Sequence, residues 1–490
     1  MGVREAALLA LEEMERAEAY SGIAVKRSIG RSGVGIGGGY DGGVDGSVDS
    51  GDEIDDGYGG AVPANSVGAR DRALLRELVL GVTRWKLALD DVIFKHSKIK
   101  KHRVSPVILT ILRLGVYQLN YLDKIPASAA CNESVKLAKK YGNEGSARYV
   151  NALLRSVAAE KLTDADGKQS AHAPADVSAS AALLSVRYSY PLWLCEKWLN
   201  LYGYDFATAQ MDAGNRRPEL SIRVNTLRIS PSELAERLMG RGFSTEPGKY
   251  SPNALIIKNP GDFTQSPEFL EGLFTVQDEA SMLAAEALGA QRGDRIMDAC
   301  AAPGGKCGYV AELTGGCADI LAADIRPHRV ALMEQNFKRL GHSSINCRVM
   351  DALLLCEDIE GTMDRVLVDA PCSGFGVVRR KPEIKWTRGP MDIESAAALQ
   401  TALLLNAARY VKKGGTLVYS VCTTEPEECE NIVGRFLCAK DHYVYEPEDL
   451  RQRLPPGLWG KCGGAGNAGI YIYPHIHGID GFYIARLKRL

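Results

Sequence analysis

Of 490 residues only eight are histidine, and the twelve cysteines include no C-x-x-C pair and no zinc-finger spacing. That argues against a structural zinc site and a disulfide framework, and for a reducing compartment; no metal is expected. Lys and Arg number 59 against 60 Asp and Glu, a net charge of −1, so no global excess of positive charge announces a nucleic-acid binder. Contact with a polyanion has to come from local patches. No apolar stretch reaches the ~18 residues of a membrane span, and the first residues run into an amphipathic helical pattern instead of a signal peptide. The expectation is a protein with no membrane partner, cytoplasmic, or in a plastid or other organelle if a presequence is missing. At this length two to four domains are expected, each with a substantial core.

What is present falls into blocks. Residues 4 to 27 read as helix, with Ala7, Leu8, Leu11 and Met14 on one face. The segment 28–68 breaks all periodicity, with repeated glycines and seven acidic residues between Asp41 and Asp56, a composition expected of a disordered insertion. Helical spacing resumes at Arg70 and runs to about Glu160, which makes 1–160 an all-α domain. A polar, alanine- and serine-rich linker covers 161–180. From 181 to 288 helical signals mix with strand-like Leu220–Val224 and Ala254–Ile257, as in a small α+β module. From 289 to 490 apolar strands alternate with helices: Arg295–Ala299, Asp319–Ala323, Asn346–Met350, Asp364–Asp369 and Gly415–Val421. Such alternation predicts a doubly wound parallel sheet, a Rossmann-like α/β domain, with a closing strand at Phe482–Leu487.

After the first of these strands comes Cys300-Ala301-Ala302-Pro303-Gly304-Gly305-Lys306, opening directly into a helix. Small residues let backbone N–H groups approach a ligand closely. The loop has neither the G-x-G-x-x-G of dinucleotide enzymes nor the G-x-x-x-x-G-K-[ST] of phosphate loops. Three acids end successive strands: Asp324, Asp351 and Asp369. Strand-end aspartates are ordinarily helix caps, but an acid about twenty residues past the loop is placed to accept ribose hydroxyls. Three in register with one glycine loop point to a cofactor rim, and a nucleoside cofactor without terminal phosphates, S-adenosyl-L-methionine, fits it.

Two cysteines lie fifty positions apart, Cys372 in Asp369-Ala-Pro-Cys-Ser-Gly374 and Cys422 in Leu417-Val-Tyr-Ser-Val-Cys-Thr-Thr424. A strand-end cysteine is ordinarily apolar filler. Here each closes a predicted strand, and if the two strands are neighbours, about 4.8 Å apart, both thiols share one pocket at the carboxyl end of the sheet.

These residues resemble the RNA 5-methylcytosine methyltransferases: Cys300 to Lys306, Asp324-Ile-Arg326, Asp369 to Gly374 with Arg379-Arg-Lys-Pro-Glu-Ile-Lys-Trp386, Tyr419-Ser-Val-Cys-Thr423 and Asp480-Gly-Phe-Tyr483. The helical part is similar to the NusB-type RNA-binding domain through Leu112-Arg-Leu-Gly-Val-Tyr-Gln-Leu119, Ile125-Pro126 and Tyr149-Val-Asn-Ala-Leu-Leu-Arg155. Together they resemble the RsmB (Sun, Fmu) family, which modifies small-subunit ribosomal RNA. The resemblance implies S-adenosylmethionine held by the 300–306 loop, Asp324, Arg329, Asp351 and Asp369. It also implies Cys422 as nucleophile on carbon 6 of cytosine, Asp369 as the acid on the cytosine ring, and Cys372 as the residue that assists release. Cys307 stands where the family often has threonine, and Val421-Cys-Thr where Thr-Cys-Ser is common.

Arg379, Arg380, Lys381, Lys385 and Arg388, with Trp386 among them, follow the Cys372 strand and are expected to contact phosphate and stack a base. Lys95, Lys98, Lys100, Lys101 and Arg103 form a second basic cluster in the helical domain. The protein is expected to work as a monomer on ribosomal RNA. Alternatives are a methyltransferase for transfer RNA or another RNA, and a non-catalytic RNA-binding scaffold.

Overall fold

The computed structural model describes residues 1–17, 24, 25, 27, 69–163, 177–259, 263–439, 443–459 and 469–490. The glycine- and acid-rich stretch 28–68, linker residues 164–176 and the glycine-rich stretch 460–468 lie outside the described residues. The chain forms two compact units, Met1–Asn215 with Lys381–Thr387, and Arg216–Arg380 with Arg388–Leu490.

The first unit is helical: α1 Val3–Ala17, α2 Ala69–Arg84, α3 Lys86–His96, α4 Pro106–Tyr121, α5 Ala127–Tyr141, α6 Glu144–Thr163, α7 Val177–Tyr188 and α8 Leu192–Asn215. Helix α4 starts on Pro106, whose fixed φ suits a first helical position. Every residue from Ile108 to Leu119 is buried, as expected of a helix that is apolar nearly all round and central to its bundle. Its one buried cation, Arg113, is neutralised by Asp90 at 2.7 Å and Glu15 at 2.9 Å. Gly81 of α2 has to be glycine, since a Cβ there would lie 1.9 Å from the Tyr117 ring. Helix α8 bends at Gly203, whose φ of +78° only glycine adopts easily.

The second unit carries two sheets. The smaller is antiparallel, built from β1 Leu220–Val224, β2 Thr245–Pro247, β3 Ala254–Ile257 and β4 Phe274–Val276 in the order β2-β3-β1-β4. Helix α9, Pro231–Gly240, opens with a capping box between Ser230 and Glu233. Helix α10, Glu279–Leu288, is capped by Asp278 and closed by Gly289 at φ +61°. Ala280, Met282 to Ala285, Ala287 and Leu288 bury their side chains in the same core as Ile296, Ile320, Leu367 and Val418 of the larger sheet.

That larger sheet holds β5 Arg295–Asp298, β6 Asp319–Asp324, β7 Ile345–Val349, β8 Met363–Asp369, β9 Val411–Val421, β10 Tyr445–Pro447, β11 Gly469–Ile472 and β12 Phe482–Arg489. The order is β10-β12-β9-β8-β5-β6-β7, with β11 also on β12. Strands β7, β6, β5, β8 and β9 are mutually parallel, whereas β12 runs antiparallel to β9 and to β10 and β11. The sheet is therefore the expected parallel, Rossmann-like one over those five strands, with antiparallel pairing through the closing strand β12 at one edge. Leu417 to Val421 are all buried, as in a strand covered on both faces. Helices α11 Gly305–Leu313, α12 Pro327–Leu340, α13 Pro390–Ala408 and α14 Glu430–Cys438 connect the strands. The fold delivers the carboxyl ends of β5, β6, β8 and β9 to one edge.

Candidate active site

The glycine loop leaves β5 at Asp298 and is pinned by its neighbours: Ala299 N–H donates to Leu367 C=O at 2.9 Å and Ala301 N–H to Ala323 C=O at 2.8 Å. Gly304, at φ +97°, sits at the N-terminus of α11, and a Cβ there would lie 2.7 Å from the Phe337 ring, so both backbone and space demand glycine. Beneath the loop, Arg223 of β1 is fully buried and donates to Gly305 C=O at 2.5 Å and to Glu312 at 2.9 Å. The smaller sheet thereby braces the loop.

Around it stand the strand-end acids. Asp324, nearly fully buried, accepts the Arg326 N–H at 2.9 Å, with Arg329 at 3.6 Å from its other oxygen. Asp351, two residues past β7, accepts the Leu353 N–H at 2.9 Å. Asp298 is a fourth acid the sequence reading passed over, although it ends its strand as Asp324 and Asp369 do. It is 2 % exposed, and although the Cys300 N–H lies nearby neither oxygen completes a hydrogen bond. Burial, and then the charge of Asp369, push its carboxyl up to about 7.

Strands β8 and β9 pair in parallel register, Asp369 opposite Ser420. This brings Cys372 Sγ and Cys422 Sγ to 3.1 Å. Cys372 is buried and Cys422 is half-buried. The hydrogen bond with Cys422, then burial, raise the Cys372 thiol well above the usual range. Asp369 accepts from Ser420 Oγ at 2.8 Å on one oxygen and from Lys306 Nζ on the other. Burial works against the Lys306 charge, but Asp369 and then Cys422 raise its pKa overall. Gly376 N–H donates to Cys422 C=O at 3.1 Å, and Gly481 N–H to Gly376 C=O at 2.9 Å. A Cβ on Gly376 would meet Gly481 C=O at 2.0 Å, so the Asp480-Gly481 turn and the Gly376 backbone close on each other beside Cys422.

The basic segment is arranged otherwise than expected. Lys385 is fully buried in the helical unit, its ammonium 2.6 Å from Asn215 Oδ1, 3.1 Å from Ser189 C=O and 3.2 Å from Arg84 C=O, over the Tyr190 ring. Trp386 Nε1 donates to Thr83 C=O at 2.7 Å. In the other unit Arg379 and Arg380 pair with Asp480 and Asp278. Lys381 is half-buried, and Arg388 lies 3.7 Å from Asp392. Of the residues expected to contact phosphate and stack a base, Arg379, Arg380, Lys385 and Trp386 thus have internal partners for their polar groups. Among the described residues no group of three or more His, Cys, Asp or Glu could hold a metal, and no helix is long and apolar enough to cross a membrane.

Comparison with known proteins agrees with this layout. The 16S rRNA methyltransferase RsmB/F family profile matches residues 285–488, the NusB family profile 52–159, and a ferredoxin-like domain profile of RsmF/B-like methyltransferases 190–264. The chain is 34% identical to the probable ribosomal RNA small subunit methyltransferase B of Bacillus subtilis, over 99% of this chain and 98% of that protein. It is 36% identical to the corresponding Synechocystis protein, over 86% and 91%. The crystal structure of PH0851 superposes with a TM-score of 0.69 at 27% identity, covering 86% of this chain and 90% of that one. That of NSun6 from Pyrococcus horikoshii with SFG gives 0.54 at 25% identity, covering 61% and 98%. With similarity of this degree running the length of both chains, the protein belongs to the RsmB/F family of 16S rRNA methyltransferases.

Proposed function

We propose that this protein methylates carbon 5 of a cytosine in small-subunit ribosomal RNA through a covalent cysteine adduct, with Cys422 as nucleophile. The observation that carries the reading is the 3.1 Å approach of Cys372 Sγ and Cys422 Sγ beside Asp369. Carbon 5 of cytosine is a poor nucleophile, so a thiolate has to add at carbon 6 first and push electrons onto carbon 5.

The methyl donor is S-adenosyl-L-methionine, which supplies an electrophilic methyl group on a sulfonium. Its ammonium and ribose hydroxyls are donors, and the strand ends offer acceptors to match: Asp324 and the orphaned carboxylate of Asp298, beside the loop Cys300 to Lys306. Arg329 and Asp351 complete that rim.

Cys422 is the more accessible of the two thiols, as an attacking group has to be. The Lys306 ammonium interacts electrostatically with its sulfur. Asp369 has lone pairs left after accepting from Ser420 and Lys306, enough to hold the polar edge of cytosine. Cys372 acts after the attack. Its thiol is kept protonated chiefly by the hydrogen bond with Cys422, and that bond is lost once the Cys422 sulfur is bonded to carbon 6. Cys372 then loses its proton to solvent more readily and takes the proton from carbon 5. The electron pair of that C–H bond restores the ring double bond and expels Cys422 as thiolate. One chain carries every group named, so a monomer suffices.

Labelled methyl transfer from S-adenosylmethionine into ribosomal RNA, followed by bisulfite mapping, tests the reading. It expects label at a cytosine that resists bisulfite conversion; label elsewhere on the RNA, or none, rejects it. In the same assay Cys372→Ala is expected to leave a denaturant-resistant protein–RNA species, and Cys422→Ala none.

A further inference from the structure

Glu428 lies outside the groups used above, and its surroundings are unlike those of an ordinary acid. It is fully buried at the turn before α14. Its Oε1 accepts the Ser373 N–H at 2.8 Å and the Gln400 side-chain amide at 2.9 Å, and its Oε2 accepts the Ser373 hydroxyl. The same Gln400 amide donates to Pro371 C=O at 2.9 Å. The peptide groups on both sides of Cys372 are thus held by one carboxylate–amide pair. On the opposite strand, Tyr419 OH donates to Glu428 C=O at 2.7 Å, and Thr423 Oγ1 lies 3.2 Å from Ser373 Oγ. Thr423 directly follows Cys422, and Tyr419 precedes it by three residues, on β9.

We propose that Glu428 is a positioning residue for the release step: through Ser373 and Gln400 it clamps the backbone around Cys372 and sets its sulfur against Cys422. The inference rests on the cysteine roles proposed above. A buried carboxylate is expensive to keep unless its hydrogen bonds are needed, and here every partner belongs to the Cys372 turn or to the helix that supports it. The ordinary reason for such an acid, an ion pair, does not apply, since its bonded partners are neutral. A clamp on Cys372 alone predicts that attack survives its loss while release suffers.

The test compares wild type, Cys372→Ala, Cys422→Ala, Glu428→Ala, Glu428→Gln and Gln400→Ala in the full chain, reading turnover, KM for RNA, melting temperature and the fraction of denaturant-resistant protein–RNA adduct. For Glu428→Ala, turnover is expected to fall roughly 10- to 100-fold, with KM little changed and adduct accumulating as in Cys372→Ala. Glu428→Gln keeps an acceptor for the Ser373 N–H and is expected to recover most of the turnover. A folded Glu428→Ala protein with wild-type turnover and no adduct overturns the proposal. So does a rise in KM alone. If Glu428→Ala does not fold, Gln400→Ala decides: adduct accumulation supports the clamp, and wild-type behaviour overturns it. If Cys372→Ala traps nothing and Cys422→Ala still turns over, the cysteine roles themselves fail and the clamp falls with them; a failure confined to the Glu428 and Gln400 variants leaves those roles standing.

Discussion

Residues 369–374 and 379–388 are close in sequence, and both are crowded with groups that chemistry can use. In the first, Asp369 and Cys372 meet Ser420 and Cys422 across two parallel strand ends, with the more accessible thiol half-buried. In the second, Arg379, Arg380, Lys385 and Trp386 turn inward to Asp480, Asp278, Asn215 and Thr83. The two stretches differ in what their partners leave over. Asp369 and Cys422 keep unused lone pairs or an open face, whereas the buried Lys385 Nζ is surrounded by three oxygens within 3.2 Å. A cation dense in sequence is a phosphate site only if the fold leaves it without internal acceptors.

The contrast can be broken most sharply at Cys422. Cys422→Ala is expected to lower methyl transfer on the order of 1,000-fold or more, with the melting temperature unchanged; retained turnover in the labelling assay would erase the distinction between the stretches. Next comes the inward-turned segment. Asp480→Asn leaves the buried Arg379 and the half-buried Arg380 sharing one carboxylate and is expected to destabilise by about 3–5 kcal/mol, while Lys385→Met strands three oxygens at about 3 kcal/mol. Urea titration measures both. If either instead weakened RNA binding with stability intact, these side chains would belong to the RNA interface after all.

Asp298 sharpens the comparison through pH. Its folded pKa, about 7, lies above the ordinary carboxyl value, so its neutral form suits the fold. Stability is full below the unfolded value near 4, and declines as pH rises through about 7. Asp298→Asn is therefore expected to gain on wild type between pH 4 and 7, by a few kcal/mol at most, and to run parallel to it above. Melting curves across that range that stay parallel throughout would show the carboxyl to be ionised as usual.

The smallest effect is expected on the helical unit, where Lys98 and Lys100 are exposed while Lys95 and Lys101 pair with Glu160 and Asp90. Reversing Lys98 or Lys100 to Glu should flatten the salt dependence of RNA binding by about one unit of slope for each phosphate no longer neutralised, with no change in melting temperature. An unchanged slope removes that surface from the interface.

Much of this was legible beforehand. Leu220–Val224 and Ala254–Ile257 coincide with β1 and β3, and Asp364–Asp369 falls within β8, because β-branched and apolar residues are concentrated there. The cysteine pair followed from placing two such strands side by side. The antiparallel course of β12 did not follow, since a strand's apolar content says nothing about its direction. Arg223 looked like any charge in a strand, yet it is fully buried under the cofactor loop. Glu428 sits among Glu425, Glu427 and Glu430, and nothing in that run marks the one that reaches the Cys372 turn.

The sequence alone determined the strand-loop-helix order and which atoms with chemistry to offer end each strand, because these depend on local backbone preference and on a two- or four-residue period. Only the tertiary structure decided which charges are consumed internally and which acid braces the thiols. Those outcomes depend on partners a hundred residues or more away, such as Asp480 for Arg379, and on residues on other segments, such as Gln400 for Glu428. Electrostatic satisfaction is a property of three-dimensional neighbours, and no spacing along the chain encodes it.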